Sequence, residues 1–271
     1  MDTTFDTIYK CEKVFCNHTI NLSECGWLDP WTMGLICLKA VEYSAEKDRS
    51  IVLPKDIRMI SYLKRMHLPT FLKELAYDQF LDPFDKKDIS EKENFNIHEI
   101  VHCNFRDEFD GRLSSKIRPM FIGFNLKSDE ERLATGLVAE LGNNVFDHNA
   151  GFWPTDFSGA IIIAQHNPIK KQIEVAVADA GVGFMGSLRA SRPDLKTHTD
   201  AILLGLSGTS GRIGENRGNG LKTIQDWTIN KFNGIVRIHS GDGLVVVDKN
   251  GQKTSDVFPI LGTLASFMLK Y

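Results

Sequence analysis

At 271 residues the chain is long enough for one large domain or two smaller ones, each with a full hydrophobic core. A net charge of -3 leaves no basic footprint for nucleic acid or an anionic membrane. The opening MDTTFDTIYK is polar and acidic, unlike a signal peptide, and no apolar run reaches bilayer length, so a cytoplasmic protein without membrane spans is expected.

Taken in chain order, Cys11, Cys16, His18 and Cys25 form a loose group that matches no zinc spacing. With all five cysteines at or before Cys103, reduced thiols fit better than a disulfide framework or a metal site. CGWLDPWTMGLICLKAVEYSAEK starts a helix, with Asp29 as N-cap and Pro30 in the first turn. SIVLP (50–54) reads as a short buried strand, and KDIRMISYLKRMHL (55–68) as a helix with an apolar stripe of Ile57, Ile60, Leu63 and Met66. This alternation predicts a small α/β domain over 1–85. The charged stretch DPFDKKDISEKE (82–93) marks a boundary, so 86–117 is expected to hold a linker and a connecting strand within NFNIHEIVHCNF.

From 118 onward the signals change. A capping box of Ser128 and Glu131 opens a long helix, SDEERLATGLVAELGNNVFDHN. GAIIIAQH (159–166) and KQIEVAVAD (171–179) read as strands about a turn at Asn167-Pro168. A polar, Gly-rich stretch from Gly181 to Gly220 follows, with a helical piece near 200–206. NGLKTIQDWTINKF (219–232) is a helix, and GIVRIHS, LVVVDK and GTLASFMLK are closing strands, with Asn250-Gly251 as a turn. Helices and a largely antiparallel sheet, segregated in sequence, make the class α+β, a layered sandwich.

Three polar groups interrupt this scaffold. On a wheel of about 100° per residue with Glu140 at zero, Asn144 falls at about 40°, His148 at about 80° and Asp147 at about -20°, beside an apolar arc from about 60° to about 160°. Glu140, Asn144 and His148 therefore border the core face, while Asn143 falls on the solvent side. VADAGVGF (177–184) ends a buried strand in Asp179 and the pair Gly181 and Gly183, which suits close approach of a flat ligand whose exocyclic amine the carboxylate accepts. RGNGLKTI (217–224) runs a Gly-x-Gly into a helix, the geometry for phosphate.

Glu-x-x-x-Asn, then Asp-x-Gly-x-Gly, then Gly-x-Gly-Leu opening a helix resembles, over 118–271, the GHKL ATPase superfamily. That group includes gyrase-type topoisomerases, a class of ATP-dependent chaperones, MutL, and the catalytic domains of histidine kinases and anti-sigma-factor serine kinases. The resemblance implies a Bergerat fold, with helices on one face of a mixed sheet and ATP with Mg2+ between them. It assigns Asn144 to Mg2+, Asp179 to the adenine amine, and Gly181, Gly183, Gly218, Gly220 and Leu221 to the pocket and lid. Thr263 of Gly262-Thr263 joins the adenine side, and Glu140 is the carboxylate that activates the attacking water. Arg217 and Arg212, in the expected lid (184–217), are either phosphate contacts or solvated residues, and His148 is either a phosphate neighbour or a stabiliser of the helix end.

The function expected is a Mg-ATP-binding regulator with slow hydrolysis or phosphotransfer that switches a protein partner. A serine/threonine kinase of anti-sigma type and a non-catalytic ATP-gated module are the alternatives, with homodimerisation left open. No helical hairpin bears a phosphoacceptor histidine, since His98 and His102 lie in strand-like sequence, and no transducer domain is expected. The N-terminal region faintly resembles a STAS domain through WLDPWTMGLICL, where Thr32 is the only hydroxyl in the turn.

Overall fold

The computed structural model describes residues 2–11, 13–85, 97–124, 126–149, 152–208 and 219–271. A short helix α1 (Phe5–Ile8) leads to a hairpin of β1 (Phe15–Cys16) and β2 (Thr19–Asn21). Its turn is made by Asn17 and His18 at φ 48° and 55°, the left-handed pair that a two-residue hairpin loop requires. α2 (Pro30–Tyr43) begins as expected: Asp29 Oδ1 accepts the Thr32 N–H at 2.8 Å, and Pro30 takes the first position, where no N–H is needed. The helix returns the chain to β3 (Ser50–Val52), which lies parallel to β2. α3 (Ile57–Arg65) and α4 (Leu68–Glu74) follow. Ile60, Leu63 and Met66 are buried as expected, but Ile57, at the first helical position, is exposed.

The described part of 86–117 supplies β4 (Ile97–Cys103) and α5 (Arg106–Arg112). α6 (Arg118–Gly123) and α7 (Ser128–Asn149) come next. α7 spans the expected residues, yet its cap differs. Glu130 reaches back to the Lys127 N–H at 3.1 Å, while Glu131 turns inward to accept from Arg118 Nε at 2.9 Å. β5 (Ala160–Asn167), β6 (Gln172–Asp179), α8 (Gly183–Leu188), α9 (His198–Leu206), α10 (Gly220–Asn230), β7 (Ile235–Asp248) and β8 (Gly251–Lys270) complete the described elements.

Strands order as β4-β5-β6-β8-β7, and every neighbouring pair is antiparallel. The mixed sheet expected from the resemblance is therefore corrected to an antiparallel one. Short turns after β5 and β7 reverse the chain directly, which a parallel pair cannot do. Three expected closing strands become two, because β7 continues through Leu244–Asp248 and β8 starts at Gly251, directly after the turn.

β5 explains the layering. Ala160, Ile162 and Ala164 pack with Ala134, Leu137, Val138, Leu141 and Val145 of α7, whereas Ile161 and Ile163 pack on the other face with α2. Alternate residues of a strand point to opposite faces, so this unbroken apolar run means that both faces are covered. The helices of 118–271 pack on one face, as expected, and α2, from the first half of the chain, fills the face opposite α7. Thirteen of its fourteen residues are buried, Thr32 among them, as expected of a helix enclosed on all sides. A Cβ on Gly34 would stand 2.6 Å from Leu264 Cδ1, so glycine sets how closely α2 lies on β8.

Several buried polar groups at the same interface are paired. Lys39 Nζ donates to the Pro259 carbonyl at 2.8 Å, and Gln165 Nε2 and the Tyr62 hydroxyl both donate to the Leu28 carbonyl. Arg237 pairs with Glu174 at 2.6 Å under the Phe5 ring. Burial without such partners would cost several kcal/mol per group, on the order of the whole fold's margin. Among the described residues, no helix is long and apolar enough to cross a membrane.

Candidate functional site

Glu140 and Asn144 lie one turn apart on α7 and converge on the first residue of α10. A Cβ on Gly220 would meet Glu140 Oε2 at 2.5 Å and Asn144 Oδ1 at 4.0 Å, so any larger residue there would displace the carboxylate. Asn144 Nδ2 is buried with no hydrogen-bond partner among the described residues. A buried amide atom is rarely left unpaired, and the two ends of an Asn amide are interchangeable by rotation. This orphaned amide, next to a carboxylate and a helix N-terminus, fits a hydrated divalent cation held through oxygen.

The second half of the site forms where β6 ends. Asp179 is buried, and its Oδ1 accepts both the Asn149 Nδ2–H and the Gly181 N–H at 2.9 Å. Burial pushes its carboxyl up to about 7, and the two donors pull in the opposite direction. Oδ2 makes no hydrogen bond among the described residues. Gly262, at φ 71°, sits against the Asp179 carbonyl, where a Cβ would come within 1.9 Å, so only glycine fits. That close approach sets Thr263 opposite Asp179 in the β6–β8 register. Ser240 Oγ ties the neighbours together, accepting the Phe184 N–H at 3.0 Å and donating to the Gly262 carbonyl at 2.9 Å. Gly183 opens α8, which lays Phe184, Ser187 and Leu188 along the wall.

These pieces enclose a cavity of about 370 Å³, within the usual range for a small-molecule site. Glu140, Asn144, Asp179, Gly183, Gly220, Leu221 and Thr263 all line it, as does His148. Gly181 does not; it stands behind the wall and holds Asp179 through its N–H. Arg217, Gly218 and Arg212 lie outside the described residues.

Asn143, expected to face solvent, is a correction. It lines the cavity and accepts from Arg106 Nη1 at 3.0 Å, while the other arm of that guanidinium pairs with Asp147. α5 covers this side of α7, which a wheel for α7 alone cannot show. Sequence reasoning also missed Asn149, Phe184 and Leu188. On the same wheel Asn149 falls at about 180°, just beyond the far rim of the apolar arc, and that position was a readable sign of a polar residue facing inward. The two hydrophobic residues gave no comparable signal. No family model, curated protein or solved structure matches the chain.

Proposed function

We propose that the chain binds Mg-ATP in this cavity, in a Bergerat-type arrangement, and uses slow hydrolysis or phosphotransfer to switch a protein partner. One observation carries the reading: six residues expected to bind nucleotide and the expected catalytic Glu140, drawn from α7, α8, α10, β6 and β8, line one cavity of suitable volume. The chemistry is divided between its two ends. Asp179 Oδ2 accepts a base amine, with the Thr263 hydroxyl alongside and Phe184, Leu188 and Ala265 supplying an apolar wall for a flat ring. At the other end, Asn144 would hold the metal, and the first N–H groups of α10 face the phosphates. Bound Mg2+ would neutralise phosphate charge.

Glu140, beside both, accepts the proton of an attacking water. The N-terminal region, STAS-like in this reading, packs on the back of the same sheet and offers a surface for the partner.

Incubation with γ-labelled ATP, with and without Mg2+, tests the proposal. Metal-dependent binding with release of phosphate supports hydrolysis. Label on a protein makes the chain a kinase of anti-sigma type, and binding without either makes it an ATP-gated module. Absence of metal-dependent binding refutes the nucleotide reading.

A further inference from the structure

Asn149 is the last residue of α7 and only 3% exposed. Its amide makes three hydrogen bonds of 2.9 Å: Nδ2 donates to the Val145 carbonyl and to Asp179 Oδ1, and Oδ1 accepts the Val182 N–H. The turn between β6 and α8 closes tightly around it, since a Cβ on Gly181 would come within 2.1 Å of Asn149 Oδ1. One amide thus joins the helix that carries Glu140 and Asn144 to the carboxylate at the opposite end of the cavity and to the turn that starts α8.

We propose that Asn149 is the positioning residue for Asp179, fixing the carboxylate so that Oδ2 alone is offered to a ligand N–H; this rests on the nucleotide reading above. Asp179 Oδ1 is saturated by Asn149 and Gly181, so rotation of the carboxylate would break two bonds to charged oxygen. The donor from Asn149 also favours the ionised form, which is the form that accepts an amine. Glu140, Asp147 and His148 of α7 share the cavity wall, while α8, α9, α10 and β8 contribute no ionisable side chain to it. Removing the Asn149 donor therefore moves the titration of Asp179 upward with no competing change on those elements.

The test compares the full chain with Asn149→Ala and with the near-isosteric, uncharged Asn149→Leu, both of which lose the donor. Two quantities are followed from pH 5 to 9: the carbon-13 carboxyl signal of Asp179 in nucleotide-free protein, and the affinity for MgATP. In Asn149→Ala the Asp179 midpoint rises by about one pH unit, and MgATP binding at pH 7 weakens about fivefold and recovers at pH 9. Recovery at high pH is a response that general structural damage does not produce. An unmoved midpoint in a variant that melts like the parent overturns the proposal. If Asn149→Ala fails to fold, the midpoint in Asn149→Leu decides in the same way. A raised midpoint with no MgATP binding by the parent chain upholds the positioning role and refutes the nucleotide reading. MgATP bound alike by parent and variants at all pH values does the reverse.

Discussion

Replacing Asp179 by Asn separates what the carboxylate does for a ligand from what it costs the fold. The amide oxygen can take the place of Oδ1 and keep the 2.9 Å bonds from Asn149 and Gly181. The NH2 group then stands where Oδ2 stood, presenting a donor to the cavity in place of an acceptor. A base amine meets a donor, and nucleotide affinity is lost. The fold responds the other way. Burial holds the Asp179 carboxyl at about 7 against an ordinary 3.8. A folded-state value above the unfolded one means stability is fully present below about pH 4 and is lost as pH rises through 7. At about 1.4 kcal/mol per unit, ionising this side chain costs the folded state on the order of 4 kcal/mol above pH 7. The neutral amide of Asp179→Asn carries no such cost, so the nucleotide-free variant is more stable than the parent at pH 8, by roughly 10 °C in melting temperature, and the gap closes toward pH 4. Glu174 is also pushed up to about 7 by burial, but its contribution is common to both proteins and cancels. Urea unfolding from pH 4 to 8 and calorimetric titration with MgATP measure the two effects. A stability difference that does not change with pH refutes the electrostatic account, and undiminished MgATP affinity removes Asp179 from the base site.

Three other substitutions probe separate parts of the molecule. Glu140→Ala should keep MgATP binding by calorimetry while phosphate release falls about 10²- to 10⁴-fold; unchanged turnover takes Glu140 out of the base role. Gly142→Ala places a methyl group 1.9 Å from Cζ of the buried Phe109 ring, so overpacking of about 1–3 kcal/mol outweighs a helix-propensity gain of about 1 kcal/mol in urea unfolding. A stabilised Gly142→Ala would show that α5 does not seat Phe109 in the notch of α7. Arg237→Ala leaves Glu174 buried without its ion partner and should cost about 3–5 kcal/mol at pH 8. The loss shrinks at pH 5, where Glu174 is protonated, and an equal loss at both values would mean that packing rather than charge dominates.

What the sequence made legible was local. Asp29 and Pro30 announce α2 because capping is decided within four residues. Glu140 and Asn144 were readable because the wheel sets them at the rim of the core arc, where a solvated face has no use for them. Asp179, Gly183 and Gly220 stand at element ends, where a strand or helix boundary leaves backbone groups open to a ligand. Unread features depend on contacts between distant segments. Asn149 meets Asp179 thirty residues later, and Arg106 reaches Asn143 and Asp147 across thirty-seven and forty-one residues. α8 is a six-residue helix containing two glycines, too weak in propensity to announce itself.

The back of the sheet shows the same limit and a consequence of it. IIIA in β5 is apolar at every position, which a sheet covered on one side has no reason to be. Ile161, Ile163, Ala176, Ala178 and Leu264 are buried together with Trp31, Leu35, Leu38 and other residues from the first half of the chain. A fragment starting at residue 118 would expose that continuous apolar face to water, at about 25 cal/mol for each Å² uncovered. The N-terminal region therefore does more than precede the cavity-bearing sheet. It closes the second face of β6 and β8, the strands that hold Asp179 and Thr263 in register, so a change in how α2 sits is felt directly behind the Asp179 end of the cavity.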